Sequence, residues 1–113
     1  MRAGLIPLFL LAGSLAAAQP AHALSVYIES TKAFADFSVY VTDTPAFADC
    51  VVYKETTKAF AKDPPHWYFE STKAFADRAV YIEKTQAFAD LVIAFTDTKA
   101  FAKCKKPIPG KKH

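Results

Sequence analysis

The chain has 113 residues, of which 52% are hydrophobic and 22% are charged, with a formal net charge of +3. This length provides for one small domain and leaves no room for a second. Residues 24–102 carry a net charge of −3, whereas five lysines follow residue 102. Because no basic patch continues into the body of the chain, we expect no nucleic-acid partner and interpret the basic end as a solubilising tail.

The first 23 residues have the pattern of a signal peptide. Arg2 precedes a mostly apolar run over residues 3–18, and Ala21-His22-Ala23 forms a small-x-small cleavage site. The apolar run is shorter than the ~18 residues of a membrane-spanning helix. We therefore predict a signal peptide over 1–23 and a single repeat domain with a basic C-terminal tail over 24–113. The mature protein is expected to be extracytoplasmic, either periplasmic or secreted, and not membrane-spanning.

The rest of the chain consists of six repeats of one short unit. Each unit is a Val-, Ile- or aromatic-rich segment followed by a block of the form Thr-x-Ala-Phe-Ala-Asp or -Lys, and the threonines are 13, 13, 15, 13 and 13 residues apart. A unit this short cannot bury its own apolar face, so the units are expected to stack into one object. We number each unit from position 1, which is Val26, Val39, Val52, Trp67, Val80 and Ile93.

The first part of each unit is predicted to be a β-strand, because it is rich in Val, Ile, Tyr and Phe. Side chains alternate between the two faces of a strand, so positions 1 and 3 share a face that we expect to form the core, with Lys54 as the exception. The opposite face carries Glu or Thr at position 4 and is expected to be amphipathic. Its position 2 is tyrosine in five units: Tyr27, Tyr40, Tyr53, Tyr68 and Tyr81.

The second part of each unit is predicted to be a single helical turn. The invariant threonine is expected to be its N-cap, with the hydroxyl accepting from backbone N–H groups, and Pro45 after Thr44 suits the first helical position. A helix this short has no stability of its own in water, so we expect its phenylalanine to be buried in the core. Phe→Ala in a middle unit would then cost roughly 3–5 kcal/mol. The six phenylalanines are Phe34, Phe47, Phe60, Phe75, Phe88 and Phe101.

Two cysteines, Cys50 and Cys104, are predicted to form one disulfide in an exported chain. They occupy the same position in units two and six. In a linear stack of strands ~4.8 Å apart they would be roughly 19 Å apart, whereas a disulfide needs Cα atoms within about 4.4–6.8 Å. A ring of six units visited in order also separates them.

A ring that the chain winds twice brings the two cysteines together. If each unit advances two stations around a ring of seven, the order is unit one, five, two, six, three, a vacancy and four. The segment after Cys104 is the candidate to fill the vacancy, and Asp63-Pro64-Pro65-His66 is expected to be a loop over it. The predicted fold class is therefore α/β: a closed, double-wound ring of six short βα repeats with parallel strands and one disulfide.

The sequence resembles the septoil-knot domain family, whose function is unassigned. The resemblance lies in the 13-residue rhythm of VYxxx-type strands, the block ending in Ala-Asp, and the longer third link before Trp67-Tyr68-Phe69. It extends to the lysine-rich end at Lys111-Lys112-His113. The helical block departs from the family pattern of Tyr-x-Ser-x-Ala-Asp. The resemblance implies a torus-knotted ring with seven crossings, and it implies no functional residues.

The pattern of polar residues argues against catalysis. Glu29, Glu55, Glu70 and Glu83 occur in register, so we interpret them as a solvated face and not as paired catalytic carboxylates. The spacing of His66, His113 and the two cysteines matches no closed metal site. We therefore predict no catalytic residues, no metal and no cofactor.

The symmetry of the units breaks most clearly at His66, Trp67 and Tyr68, which are the candidate binding residues. The function is unknown from the sequence. We expect a very stable, monomeric, non-enzymatic structural or interaction domain with an envelope protein or glycan as partner. The alternative is a peptide- or glycan-binding module that uses the tyrosine face and the Trp67 loop, whereas Trp67 as an ordinary core residue is the competing interpretation.

Overall fold

The computed structural model describes residues 24–112, so the predicted signal peptide over 1–23 and His113 lie outside the described residues. Six strands of four to six residues alternate with short turns, and a two-residue strand follows the last turn. The strands are β1 (Leu24–Ile28), β2 (Phe37–Val41), β3 (Cys50–Glu55), β4 (His66–Phe69), β5 (Arg78–Ile82), β6 (Leu91–Thr96) and β7 (Lys103–Cys104).

The first six strands form a closed parallel barrel. Their order is β4-β1-β5-β2-β6-β3, and β3 pairs with β4 to close the ring. The predicted neighbours are confirmed, including the contact between units two and six. The predicted seventh station is wrong, because Tyr53–Glu55 pair directly with His66–Tyr68. The short β7 instead runs antiparallel to the start of β3, opposite Cys50 and Val51.

A constant stagger sets the shape of the barrel. Val26 is position 1 of its unit, but it lies opposite Phe69, which is position 3 of unit four. On its other side it lies opposite Arg78, which is two places before position 1 of unit five. Neighbouring units are therefore displaced by two residues at each of these junctions. The same displacement recurs at every parallel junction, so one circuit accumulates a shear of 12 residues. Because side chains alternate with a period of two, this displacement keeps the same face of every strand inside.

The core is made by position 1 and by the residue two places before it. Position 1 is buried in all six units, as predicted. The residue two places earlier is also buried in four strands, at Leu24, Phe37, Cys50 and Leu91. Position 3 lies at the mouth of the barrel and is covered less completely: Ile28 is 41% exposed and Ile82 is 38% exposed. The expectation that position 3 belongs to the core thus holds for Val41, Phe69 and Phe95, which pack against it, and is wrong for Ile28 and Ile82, where the strands end and no layer follows.

The one-turn elements are 3₁₀ turns of three residues, and no α-helix occurs between residues 24 and 112. The predicted α/β class with βα repeats is therefore not what the described chain forms. None of the six threonines makes a side-chain cap; instead the threonine carbonyl accepts the phenylalanine N–H, as in the 3.0 Å bond from Phe34 to Thr31. The link is too short for α-helical bonding, and the tighter i→i+3 pattern suits so short a segment. The turns span Lys32–Phe34, Pro45–Phe47, Lys58–Phe60, Lys73–Phe75, Gln86–Phe88 and Lys99–Phe101.

The six phenylalanines lie outside the barrel, which corrects the prediction that they form its core. Their exposed fractions range from 57% at Phe60 to 71% at Phe47. Four of the turns contact the strand that lies between the two strands they connect, as the first turn does against β5, whereas the turn Lys58–Phe60 connects the paired strands β3 and β4. Small alanines such as Ala35 and Ala61 face the sheet there and are buried, which leaves the neighbouring ring on the solvent side.

Aspartates at the ends of four units fasten neighbouring strands together. Asp77 Oδ2 accepts the backbone N–H of Ser25 at 2.9 Å and its hydroxyl at 3.2 Å, and Asp90 contacts Ser38 in the same way. Asp36 and Asp49 accept the backbone N–H of Ala79 and Val92, both at 2.8 Å. Lysine replaces aspartate at the remaining two positions, Lys62 before the irregular link and Lys103 in β7.

The C-terminal tail is part of the fold and not only a solubilising end. Ile108 packs against the core cluster, and the Arg78 Nε donates to the Pro109 carbonyl at 3.1 Å. The Lys112 N–H donates to Asp36 Oδ1 at 2.8 Å. The tail thus crosses the barrel opening formed by the starts of the strands, and its lysines lie exposed at that end.

Candidate functional site

The exposed phenylalanines form the largest apolar feature on the outside of the described barrel. We call Phe34, Phe47, Phe60, Phe75, Phe88 and Phe101 the phenylalanine belt. Each lies at the same position of a turn that crosses the outer surface, so the six rings are distributed around the circumference. All six rings are more than half exposed, and we therefore take the belt as the candidate site. Sequence reasoning missed this feature, because it assigned the rings to the core.

At four of the six junctions, a lysine–glutamate pair holds one turn against the next one around the ring. Lys73 Nζ lies 2.7 Å from Glu29 Oε1, and the other three pairs have distances of 2.6 to 3.0 Å. In three pairs the ammonium also donates to the carbonyl of a belt phenylalanine, as from Lys58 to Phe75 at 2.8 Å. These contacts fix the backbone that presents the rings. The pairs are Lys32–Glu83, Lys58–Glu70, Lys73–Glu29 and Lys99–Glu55.

The glutamates are not a solvated face, which corrects the sequence interpretation. Their side chains are only 4–14% exposed, and each faces a lysine that is about half exposed. The hydrogen bond from Lys73 lowers the pKa of Glu29, and the hydrogen bond from Lys32 lowers the pKa of Glu83. Glu29 and Glu83 are thus held ionised by a lysine of a neighbouring unit.

Three of the lysines also lie over belt rings. The distances from the ammonium to the ring centroid are 6.0 Å for Lys32 and Phe88, 5.8 Å for Lys73 and Phe34, and 5.5 Å for Lys99 and Phe60. A cation at this distance is attracted to the aromatic ring. The belt therefore alternates apolar rings with positive charge, and the rings are held in place while they stay exposed.

The lysine–glutamate pattern is interrupted at two junctions. Where unit two meets unit six, Pro45 replaces the lysine and Thr96 replaces the glutamate; where unit five meets unit two, the residues are Gln86 and Thr42. Lysine and glutamate are therefore present together or absent together at every junction. This correlation is visible in the sequence and could have indicated which units are neighbours.

The three candidate binding residues from the sequence lie in different surroundings. Trp67 is 1% exposed, packs edge-on against Phe37, and donates from Nε1 to the Pro64 carbonyl at 2.7 Å. The interpretation of Trp67 as an ordinary core residue thus agrees with the structure, and its indole presents no surface to a ligand. His66 and Tyr68 are half-buried, and the His66 ring lies edge-on to Tyr53.

The two cysteines form the predicted disulfide. Cys50 and Cys104 are bonded with their Cα atoms 4.0 Å apart, at the place where β7 pairs with β3. Cys50 is fully buried in the core. The bond therefore links the C-terminal strand covalently to the barrel, and the role of Cys50 in the structure is that of a cross-link.

Residues 24–112 show neither a candidate metal site nor a candidate membrane-spanning helix. No group of three or more His, Cys, Asp or Glu side chains there is arranged to hold a metal ion. That part of the chain also contains no helix long and apolar enough to cross a bilayer.

A family model described as the 7(1) septoil knot domain matches residues 22–105, which is most of the chain. No curated protein matches it.

Proposed function

This chain belongs to the 7(1) septoil knot domain family, and we propose that it is an exported, non-enzymatic interaction domain that binds a protein partner through the phenylalanine belt. The observation that carries the proposal is the exposure of all six rings, each at least 57% exposed. Aromatic residues are enriched at the centres of protein interfaces and supply much of their binding energy. Exposing six of them on one small domain has no benefit for folding.

The arrangement of the belt supports a multivalent mode of binding. The rings are spread around a closed barrel, so a flat partner can contact only those on one side. A partner that wraps the barrel, or several copies of one partner segment, can use more of them and gain avidity. Because ion pairs and backbone hydrogen bonds fix the turns, little ordering of the belt is needed on binding. An envelope protein with repeated aromatic-binding segments fits this surface.

Site-specific photo-cross-linking tests this proposal. Benzoylphenylalanine replaces Phe88 in the protein expressed in its source cells, with Asp43, an exposed residue outside the belt, as the matched control. We expect a discrete cross-linked species from the Phe88 position and none from the Asp43 position. Identical products from both positions, or none from either, would contradict binding through the belt. Light scattering on the purified protein shows whether the adduct is a partner or a second copy; we expect a monomer.

Export is part of the proposal. The Cys50–Cys104 disulfide is consistent with an oxidising compartment, and residues 1–23 have the signal-peptide pattern described above. We expect the secreted or periplasmic protein to begin at Leu24. N-terminal sequencing of the protein recovered from the envelope or medium checks this, and an intact Met1 terminus would contradict it.

We also propose that the chain is knotted. The proposal is supported by the family description and by a ring order in which consecutive units lie mostly two stations apart. Pulling the reduced protein from both ends in an optical trap tests it. A knotted chain tightens and gains less length than its full contour, whereas an unknotted chain extends completely.

A peptide- or glycan-binding module built on Trp67 is not favoured. Its indole is buried and hydrogen-bonded to Pro64. The five tyrosines of the outer strand face are half-buried, between the turns that cross that face. They offer less accessible aromatic surface than the belt does.

A further inference from the structure

An open groove lies at the junction where the lysine–glutamate pattern is interrupted between units two and six. Pro45 and Thr96 occupy the positions of the paired side chains there. The groove between the turns Pro45–Phe47 and Lys99–Phe101 has a volume of about 500 Å³. This volume is within the range of pockets that hold small ligands. The groove is therefore open because no lysine and glutamate span this junction, as they do at the four regular junctions.

The lining of the groove is apolar at its base and positive on one side. Ala48 and Val51 are buried and form the base, and Phe101 forms an apolar wall. Lys103 and Lys105 are exposed and also line the groove, and no carboxylate is among the lining residues. An apolar surface next to two ammonium groups is complementary to a ligand with an apolar body and a negative charge.

The position of the two lysines is fixed by the fold. Lys103 pairs with Val51 in the antiparallel β7 strand, and the disulfide at Cys104 fastens that strand to the barrel. The backbone N–H of Lys105 donates to the Asp49 carbonyl at 2.7 Å, and its Nζ donates to the Ala46 carbonyl at 3.3 Å. Both ammonium groups are thus carried at the edge of the groove by an ordered segment.

We propose that this groove binds a small anionic amphiphile, namely a short hydrocarbon chain or ring bearing one carboxylate. The apolar part lies on Ala48, Val51 and Phe101, and the carboxylate accepts hydrogen bonds from Lys103 and Lys105. Charge-assisted hydrogen bonds of this kind fix the orientation of such a ligand. The site goes beyond the proposed protein-binding function, since only Phe101 belongs to both surfaces.

Titration of the purified, oxidised protein with octanoate, followed by amide NMR shifts, tests the inference. We expect shifts concentrated in residues 45–51 and 94–105. Octylammonium has a hydrocarbon chain of the same length and the opposite charge, and its affinity should be lower by at least roughly tenfold. The affinity of acetate, which lacks the chain, should fall by a similar factor. Equal binding of octanoate and octylammonium would overturn the assignment of the lysines.

Variants that rebuild the missing ion pair provide the sharper test. Pro45→Lys with Thr96→Glu restores the pattern of the other four junctions, and the two new side chains should fill the groove and abolish octanoate binding. The matched control is Gln86→Lys with Thr42→Glu, which makes the same change at the other interrupted junction and should leave binding unchanged. Retained binding in the first variant, or equal loss in both, would overturn the proposal.

A second pair of substitutions guards against a folding defect. Lys103→Gln with Lys105→Gln changes only exposed side chains and should weaken octanoate binding by roughly tenfold, with little effect on apolar contacts. Unchanged affinity would contradict the role of the lysines. None of these variants alters Phe88, so the cross-linking experiment above remains an independent test of the belt.

Discussion

At the scale of single residues, the alanine that follows each phenylalanine decides how the turn meets the barrel. The alanine after the ring lies against the sheet and is fully buried at Ala61 and 2% exposed at Ala35 and Ala48. A phenylalanine at this position could not fit between turn and strand. The ring therefore stays on the outer side, where it is available to a partner.

The exposure of the belt predicts a small effect on stability. Phe75→Ala should change the free energy of unfolding by less than about 0.5 kcal/mol, since the ring is 64% exposed. Leu91→Ala should cost about 2–5 kcal/mol, because Leu91 is 1% exposed and its removal leaves a cavity. Urea unfolding of both variants measures the difference. A loss at Phe75 as large as that at Leu91 would mean that the rings are part of the core.

The aspartates that accept hydrogen bonds from a neighbouring strand should contribute more to the free energy of unfolding than their position at the surface suggests. Asp77→Ala removes the acceptor of the backbone N–H and hydroxyl of Ser25, which is fully buried. Leaving such groups unsatisfied should cost about 1–3 kcal/mol. Asp43→Ala, at an exposed position, is the control and should cost less than about 0.5 kcal/mol. Equal urea midpoints for the two variants would show that the Ser25 contact is not stabilising.

At the scale of elements, the turns are coupled to their neighbours in the ring, and in three of the four lysine–glutamate pairs these are not neighbours in the sequence. Lys32 of unit one reaches Glu83 of unit five, and Lys73 of unit four reaches Glu29 of unit one. An isolated 3₁₀ turn of three residues would be unstable. Its stability here comes from the ion pair, the carbonyl contact and the alanine packing supplied by another unit.

The lowered pKa of Glu29 makes this coupling dependent on pH. A glutamate whose folded pKa is lowered contributes stability above its unfolded value of about 4.3, and this contribution is lost as the pH falls through the folded value. Glu29→Gln should therefore be less stable than the wild type at pH 7, and the two should converge at pH 2. Urea midpoints at the two pH values measure this.

The partner lysine provides the control for that prediction. Lys73→Met removes the hydrogen bond that lowers the pKa of Glu29 and should reproduce the loss at pH 7. Adding Glu29→Gln to Lys73→Met should then have a smaller effect than Glu29→Gln alone. A wild-type advantage of the same size at pH 7 and pH 2 would show that ionisation of Glu29 is not involved.

At the scale of the whole molecule, the ring has no free strand edge over most of its circumference. Each of the six parallel strands has a partner on both sides, and the start of β3 is covered by β7. Exposed edges invite pairing with other chains, and closure of a barrel removes them. The barrel can thus display an apolar belt without also offering a sheet edge for aggregation.

The disulfide is predicted to contribute strongly to the stability of this ring. Cys50 and Cys104 are 54 residues apart in sequence, and a closed loop of that length restricts the unfolded chain by about 4 kcal/mol on entropic grounds. Cys50→Ser with Cys104→Ser should lose about 2–4 kcal/mol in urea unfolding. Reduction of the wild type should give a similar loss. A loss below about 0.5 kcal/mol would show that β7 pairing alone fixes the C-terminus.

The strand order could be predicted from the sequence because the cysteines supply a long-range distance. Local patterns also identified the strands and the position-1 core. They could not place Phe34 and its equivalents, because hydrophobicity favours burial but does not say which side of a three-residue turn faces the sheet. The groove also could not be predicted from the sequence. Pro45 and Thr96, which line it, are 51 residues apart, and they are recognised as neighbours only when the ring order is known.

The order of strands around the ring also determines when the protein can fold. None of the first three strands pairs with another of the three: β1 pairs with β4 and β5, β2 with β5 and β6, and β3 with β4, β6 and β7. A growing chain therefore has no sheet to form until residue 66 has been synthesised. Pairings between segments so distant in sequence make folding slow. The first half of the chain thus remains extended and free of structure for longer than it would in a barrel built in sequential order.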